Sequence, residues 1–154
     1  MAEQLTFDLP VKASRARGDF FVSEANALAV ARLDDTGGWT QAKLALVGPA
    51  GAGKSHLAHV WAEALGGQIV SSDALVGRDI AEIGSPVAVE IPATGRLSPD
   101  SEEALFHLHN HMAAFGLPLL LVARRAPAQW NIALPDLKSR MEATEIVHIK
   151  EPDD

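Results

Sequence analysis

Short blocks of apolar residues alternate along this chain with longer stretches in which apolar side chains recur every three or four positions. The blocks are Leu44-Ala45-Leu46-Val47, Gln68 to Ser71, Pro86 to Ile91, Leu119 to Val122 and Ile146 to Ile149. Each is bounded by polar residues, glycine or proline, as buried parallel strands are. Between them, Lys54 to Leu65 carries Leu57, Trp61 and Leu65 at a spacing of four, which places them on one helical stripe. Gly66-Gly67 ends that helix. Ser101 to Phe115 places Ala104, Leu105, Leu108 and Met112 on one side, with Asp100, Glu102 and Glu103 suited to the positive helix start. Ala133 to Met141 predicts a shorter helix. Another is expected from Ser23, whose hydroxyl can cap it, and a further one from Asp73 to about Glu82.

Five strands alternating with helices predict a five-stranded parallel sheet with helices on both faces, an α/β fold. Ligands of such sheets bind beyond the carboxyl ends of the strands. The first 18 residues do not join the pattern. They hold one apolar cluster, Leu5, Phe7 and Leu9, then Pro10 and a polar run to Gly18. They read as a tail bearing a short linear motif.

Composition narrows the function classes. With 154 residues, 47% hydrophobic and 21% charged, the chain is expected to form one globular domain. No apolar run approaches the ~18 residues of a membrane span, and Met1-Ala2-Glu3-Gln4 is unlike a signal peptide, so the cytoplasm is the expected location. The absence of cysteine excludes disulfides, thiol catalysis and thiolate-bound zinc. A net charge of −7 argues against autonomous DNA binding.

The strongest chemical signal is Gly48-Pro49-Ala50-Gly51-Ala52-Gly53-Lys54-Ser55, an ungapped G-x-x-x-x-G-K-[ST] between a predicted strand and a predicted helix. Its glycines let backbone N–H groups turn toward phosphate oxygens, and the helix that follows offers its positive end to the anion. Lys54 supplies a point charge for phosphates, and Ser55 a hydroxyl for Mg²⁺. Glu90, ending the third strand, is the best acidic partner for that metal, with Asp73 a weaker alternative. The next residue is Ile91, so no carboxylate stands there to orient an attacking water. The loop alone does not choose between ATP and GTP, and the site is better suited to binding a nucleotide than to turning it over.

Three arginines matter. Arg124 and Arg125 follow the fourth strand and so fall at the ligand edge, where they can sense phosphate or contact a partner. Arg140 lies in the last helix and is a candidate arginine finger, a cation offered to a transferring phosphoryl group from a neighbouring subunit. His107 and His111 share a helix face while His109 points away, which argues against a metal centre there. His56 and His59 read as packing or surface residues.

The same segments together resemble the Hda-like regulators of replication initiation, in the DnaA-related branch of the AAA+ ATPases. The resemblance rests on Gln4-Leu5-Thr6-Phe7-Asp8-Leu9, on Phe20-Phe21-Val22, on the phosphate loop, on Glu103 to Asn110, and above all on Arg124 to Arg140. It implies an AAA+ type P-loop NTPase core over residues 19–154 behind a tail at 1–18, without the helical lid that follows the fifth strand in that family. It implies ADP or ATP as the bound nucleotide, with Phe20, Phe21 and Val22 lining the adenine pocket. Gln4, Leu5, Phe7 and Leu9 would bind the DNA polymerase sliding clamp. Arg140 would act in trans to stimulate ATP hydrolysis by the initiator DnaA, preventing re-initiation. Weak or absent intrinsic ATPase activity, no membrane contact and, as a further option, a homodimer complete the expectation. Glu90 stands where relatives carry an aspartate, and Val122-Ala123 lack their threonine or serine. Two other readings stay open: a stand-alone P-loop ATPase or kinase, and a non-catalytic clamp-binding adaptor.

Overall fold

The computed structural model describes residues 26–150. They form one five-stranded sheet in the order β2-β3-β4-β1-β5, with every pairing parallel. The strands are β1 (Lys43–Val47), β2 (Gln68–Ser71), β3 (Val87–Glu90), β4 (Leu119–Ala123) and β5 (Ile146–His148). The helices are α1 (Ala27–Asp34), α2 (Lys54–Leu65), α3 (Pro99–Phe115) and α4 (Pro135–Glu142). No helix among the described residues is long and apolar enough to cross a membrane.

Strand residues alternate between two cores because side chains point to opposite faces in turn. Ala45, Val47, Val87, Val89, Leu119 and Leu121 face α3 and α4, meeting Leu105, Leu108, Met112, Leu137 and Met141. Leu44, Leu46, Ala88, Leu120, Val122 and Val147 face α1 and α2, meeting Ala29, Leu33, Leu57 and Trp61. Both faces are thus covered, which is why the strands are apolar blocks rather than alternating ones. Trp39 stacks on Trp61 with centroids 5.4 Å apart, and each indole N–H finds an acceptor, on the Arg32 carbonyl and the Thr36 hydroxyl.

The element ends show the local chemistry. Helix α2 runs over the expected residues and stops at Gly66, whose φ of 69° continues no right-handed turn. Helix α3 starts two residues earlier than its acidic cluster suggests. Ser98 is its cap, accepting from the Ser101 N–H at 3.1 Å, and Pro99 takes the first position, where no N–H is needed. Helix α4 likewise starts on Pro135 rather than Ala133. Ser23, expected to cap the first helix, lies outside the described residues, and Asn26 occupies the cap position of α1.

One expectation fails. Asp73 to Glu82 is not a helix but two separate 3-10 turns, Asp73–Leu75 and Ile80–Glu82. Gly77 between them has φ +85°, which interrupts the helical hydrogen-bond ladder.

Candidate functional site

All the strands point their carboxyl ends the same way, so Ser71, Glu90, Val122, Ala123 and Val47 lie along one edge. The loop 48–53 leaves β1 on this edge. Its Gly48 N–H donates to the Ala123 carbonyl at 3.1 Å. A side chain at Gly48 would place a carbon 2.4 Å from the Ile149 carbonyl oxygen, so glycine is required by close packing. Gly51 and Gly53 are required for another reason, their φ values of 81° and 97°.

Lys54 opens α2 and turns its ammonium back over the loop, donating to the carbonyls of Gly48 at 2.6 Å and Pro49 at 2.9 Å. Burial, and then the nearby Arg124 charge, hold this lysine below its ordinary value of 10.5. Ser55 donates its hydroxyl to Glu90 at 3.0 Å. A cavity of about 240 Å³ is bounded by Lys54, Ser55, Glu90, Ile91, Ala123 and Arg124, among others. Residues far apart in sequence are therefore brought to one concavity: two cations, one hydroxyl and one carboxylate. Glu90 is the single carboxylate of its lining, and Ile91 presents only hydrocarbon. The Ser55 and Glu90 oxygens form a hard-donor pair that fits Mg²⁺, an ion that keeps several waters and needs few protein ligands.

Arg124 also borders a second cavity, of about 670 Å³, with Gly48, Pro49, Arg125, His148 and Lys150. This one carries four basic side chains and no carboxylate. Asp73 is not part of either cavity. It accepts from the Ser101 hydroxyl at 2.9 Å and so braces the start of α3.

Arg140 is elsewhere. Helix α4 runs back from the carboxyl edge to feed β5, so its end lies at the amino edge of the sheet. The Arg140 carbonyl accepts from the Lys43 ammonium at 2.9 Å, and Lys43 opens β1, whose other end feeds the phosphate loop. Five strand steps of about 3.3 Å put these two ends roughly 16 Å apart. The Arg140 side chain is exposed. It cannot serve Lys54 of its own chain and is free to meet another molecule. Gln4, Leu5, Phe7, Leu9, Phe20, Phe21 and Val22 lie outside the described residues.

Two polar residues of weight escaped the sequence reading. Glu102 is 4% exposed, and its two carboxylate oxygens accept from the Ala133 and Leu134 N–H groups at 2.8 and 3.0 Å. Lys43 is 3% exposed and donates both to Arg140 and to His109 Nε2, at 3.0 Å. The signal for Glu102 was available: it lies three residues before Leu105 and seven before His109, on a buried flank of α3. For Lys43 the only signal is its place directly before an apolar strand.

No protein-family model matches the chain, and no curated protein matches it. Solved structures do. Domain III of the Thermotoga maritima replication initiation protein DnaA superposes with a TM-score of 0.74 at 17% identity, covering 88% of this chain and 67% of that one. AMPPCP-bound DnaA from Aquifex aeolicus gives 0.69 at 19% identity, over 86% of this chain. The chain spans about half (49%) of that DnaA. A DnaC helicase loader gives 0.58 at 15% identity, covering 83% of this chain and 92% of its own. At such identities the likeness shows the fold alone: an α/β core with a parallel sheet, shared with these replication proteins.

Proposed function

We propose that the protein is a nucleotide-binding regulator of replication initiation that holds ADP or ATP with Mg²⁺ at Gly48 to Ser55 and offers Arg140 to the nucleotide site of the initiator DnaA, stimulating hydrolysis there. The observation that carries this reading is the separation of its two functional groups. The phosphate loop and the exposed Arg140 stand at opposite edges of one sheet, so one face of the molecule binds a nucleotide while the other is free to reach a partner's. Structural likeness to DnaA and to a helicase loader supports the replication setting.

In the phosphate site, the loop N–H groups and the start of α2 cradle the anion, Lys54 and Arg124 neutralise it, and Ser55 with Glu90 would hold Mg²⁺. The metal would screen phosphate charge. With Glu90 engaged by Ser55 and Ile91 beside it, the described lining of the cavity offers no further carboxylate to activate water, which would keep intrinsic turnover slow. Tethering to the sliding clamp by Gln4, Leu5, Phe7 and Leu9 raises the local concentration of the protein where initiators must be reset.

The deciding experiment measures DnaA ATP hydrolysis in the presence of clamp loaded on DNA. Wild-type protein accelerates it and Arg140→Ala does not; equal acceleration by both refutes the finger. Leu5→Ala/Phe7→Ala lowers retention on immobilised clamp, and undiminished retention refutes the tether.

A further inference from the structure

Helix α4 is short, eight residues, and its own sequence holds it weakly: no side chain caps its start, and its mean surface is polar. Yet both of its ends are gripped by buried charged groups from other elements. At the entry, the Glu102 carboxylate on α3 accepts from two successive N–H groups, of Ala133 and Leu134. At the exit, the carbonyl of Arg140 itself accepts from the Lys43 ammonium on β1 and from the Thr144 hydroxyl at 3.1 Å. Lys43 is in turn steadied by His109, also on α3. Burying a carboxylate and an ammonium costs stability unless each is fully hydrogen-bonded. Apolar side chains at these two places would leave the Ala133 and Leu134 N–H groups without their acceptor and the Arg140 carbonyl without its ammonium donor, so both ends of α4 depend on these charged groups.

We infer that Glu102 and Lys43 are positioning residues that fix the axis of α4 at both ends and so aim Arg140 at the partner's phosphoryl group. The inference rests on the finger reading of Arg140 and deepens it. A two-point grip on the entry N–H groups sets a direction, where a single hydrogen bond sets only a distance. The lever is real: an eight-residue helix is about 12 Å long, and a tilt of roughly 10° at its entry moves its end by about 2 Å. Misplacement by ~1 Å of a group acting on a reaction costs up to ~100-fold in rate. Glu102 and Lys43 do not touch the nucleotide. They act through Arg140.

The test compares full-length wild type, Glu102→Gln, Lys43→Met, Arg140→Ala and the double variant Glu102→Gln/Arg140→Ala in stimulated ATP hydrolysis by DnaA, titrated to saturation. Glutamine keeps the size of Glu102 but offers one acceptor where two are used. The expected result for Glu102→Gln is a maximal stimulation at least tenfold lower at an unchanged half-saturating concentration, with the double variant no worse than Arg140→Ala. Amide hydrogen exchange over residues 133–142 should rise at least tenfold in the same variant, while α2 exchanges as before. If Glu102→Gln does not fold, Lys43→Met and Thr144→Val carry the same test from the other end of the helix. Full stimulation by folded Glu102→Gln and Lys43→Met, beside its loss in Arg140→Ala, overturns the positioning role alone. A rise in half-saturating concentration at full maximal rate also overturns it, by showing a docking effect. Full stimulation by Arg140→Ala removes the finger reading and the positioning role together.

Discussion

The two edges of the sheet are built from opposite materials. At the carboxyl edge, Gly51 and Gly53 at left-handed φ shape the loop, and Lys54 leans on the loop's own carbonyls. At the amino edge, Lys43 and His109 are buried and bonded to each other across elements far apart in sequence, and Lys43 holds the end of α4, whose entry is held by the buried Glu102. The loop's polar groups are local and can be reoriented at little cost, as the proposed binding of an anion requires. The groups that hold the two ends of α4 are sequestered and satisfied, which keeps a short helix in one orientation.

The largest expected effect separates the edges by ligand affinity. Lys54→Ala removes a charged hydrogen-bond donor, an interaction contributing about 2–3 kcal/mol, so ADP affinity should fall roughly 30- to 150-fold in calorimetric titration. Arg140→Ala, at the other edge, should leave ADP affinity within about twofold. An equal loss in both would mean that the edges are not independent.

Next comes the loop's packing. Gly48→Ala forces a carbon to within 2.4 Å of the Ile149 carbonyl oxygen, a backbone atom with little freedom to yield. A cost of about 1–3 kcal/mol is expected in denaturant unfolding. Gly51→Ala meets no neighbour within 4 Å, so its cost is that of the φ of 81° alone, about 1–2 kcal/mol. Equal and negligible costs would show that the loop is not held against β5.

The sequence was most legible where one stretch of chain carries its own instructions. The loop needs its glycines, lysine and serine in order, and the strand blocks and the Leu57, Trp61, Leu65 stripe need only period. Glu90 was readable because a strand end brings it to the loop, where it accepts from the Ser55 hydroxyl. The supports of α4 were hardly legible. Glu102 resembles one more acid in a helix start, and only the fold reveals that its oxygens close the entry of a helix thirty residues on. Asp73 was misread for the converse reason. Its local sequence suits a helix cap, but Gly77 ends the turn and the carboxylate braces α3 instead.

A smaller effect tests the metal reading. Glu90→Gln removes the charge facing Ser55 while keeping a hydrogen-bonding group. The increment that Mg²⁺ adds to ATP affinity, about tenfold for one ligand, should disappear, with affinity in chelator unchanged. A Mg²⁺ response that survives places the ion on other groups.

The smallest effect belongs to the amino edge and is one of pH. His109 Nε2 accepts from the Lys43 ammonium, which leaves Nδ1–H to face the Asn110 side-chain oxygen at 3.4 Å and makes the ring neutral. Burial first, then the Lys43 charge, and more weakly Arg140, hold its pKa below the ordinary 6.5, against the Asn110 hydrogen bond, which raises it. As pH falls below 6.5, the unfolded chain therefore binds a proton at this site that the folded chain refuses. Stability present above that pH is lost progressively down to the folded-state value. His109→Gln keeps an acceptor for Lys43 and cannot titrate, so its unfolding free energy should fall less between pH 7.5 and 5.5 than that of wild type. Parallel curves for the two proteins would mean that the ring takes up its proton equally in the folded and the unfolded chain, and so that burial and the Lys43 charge do not oppose it.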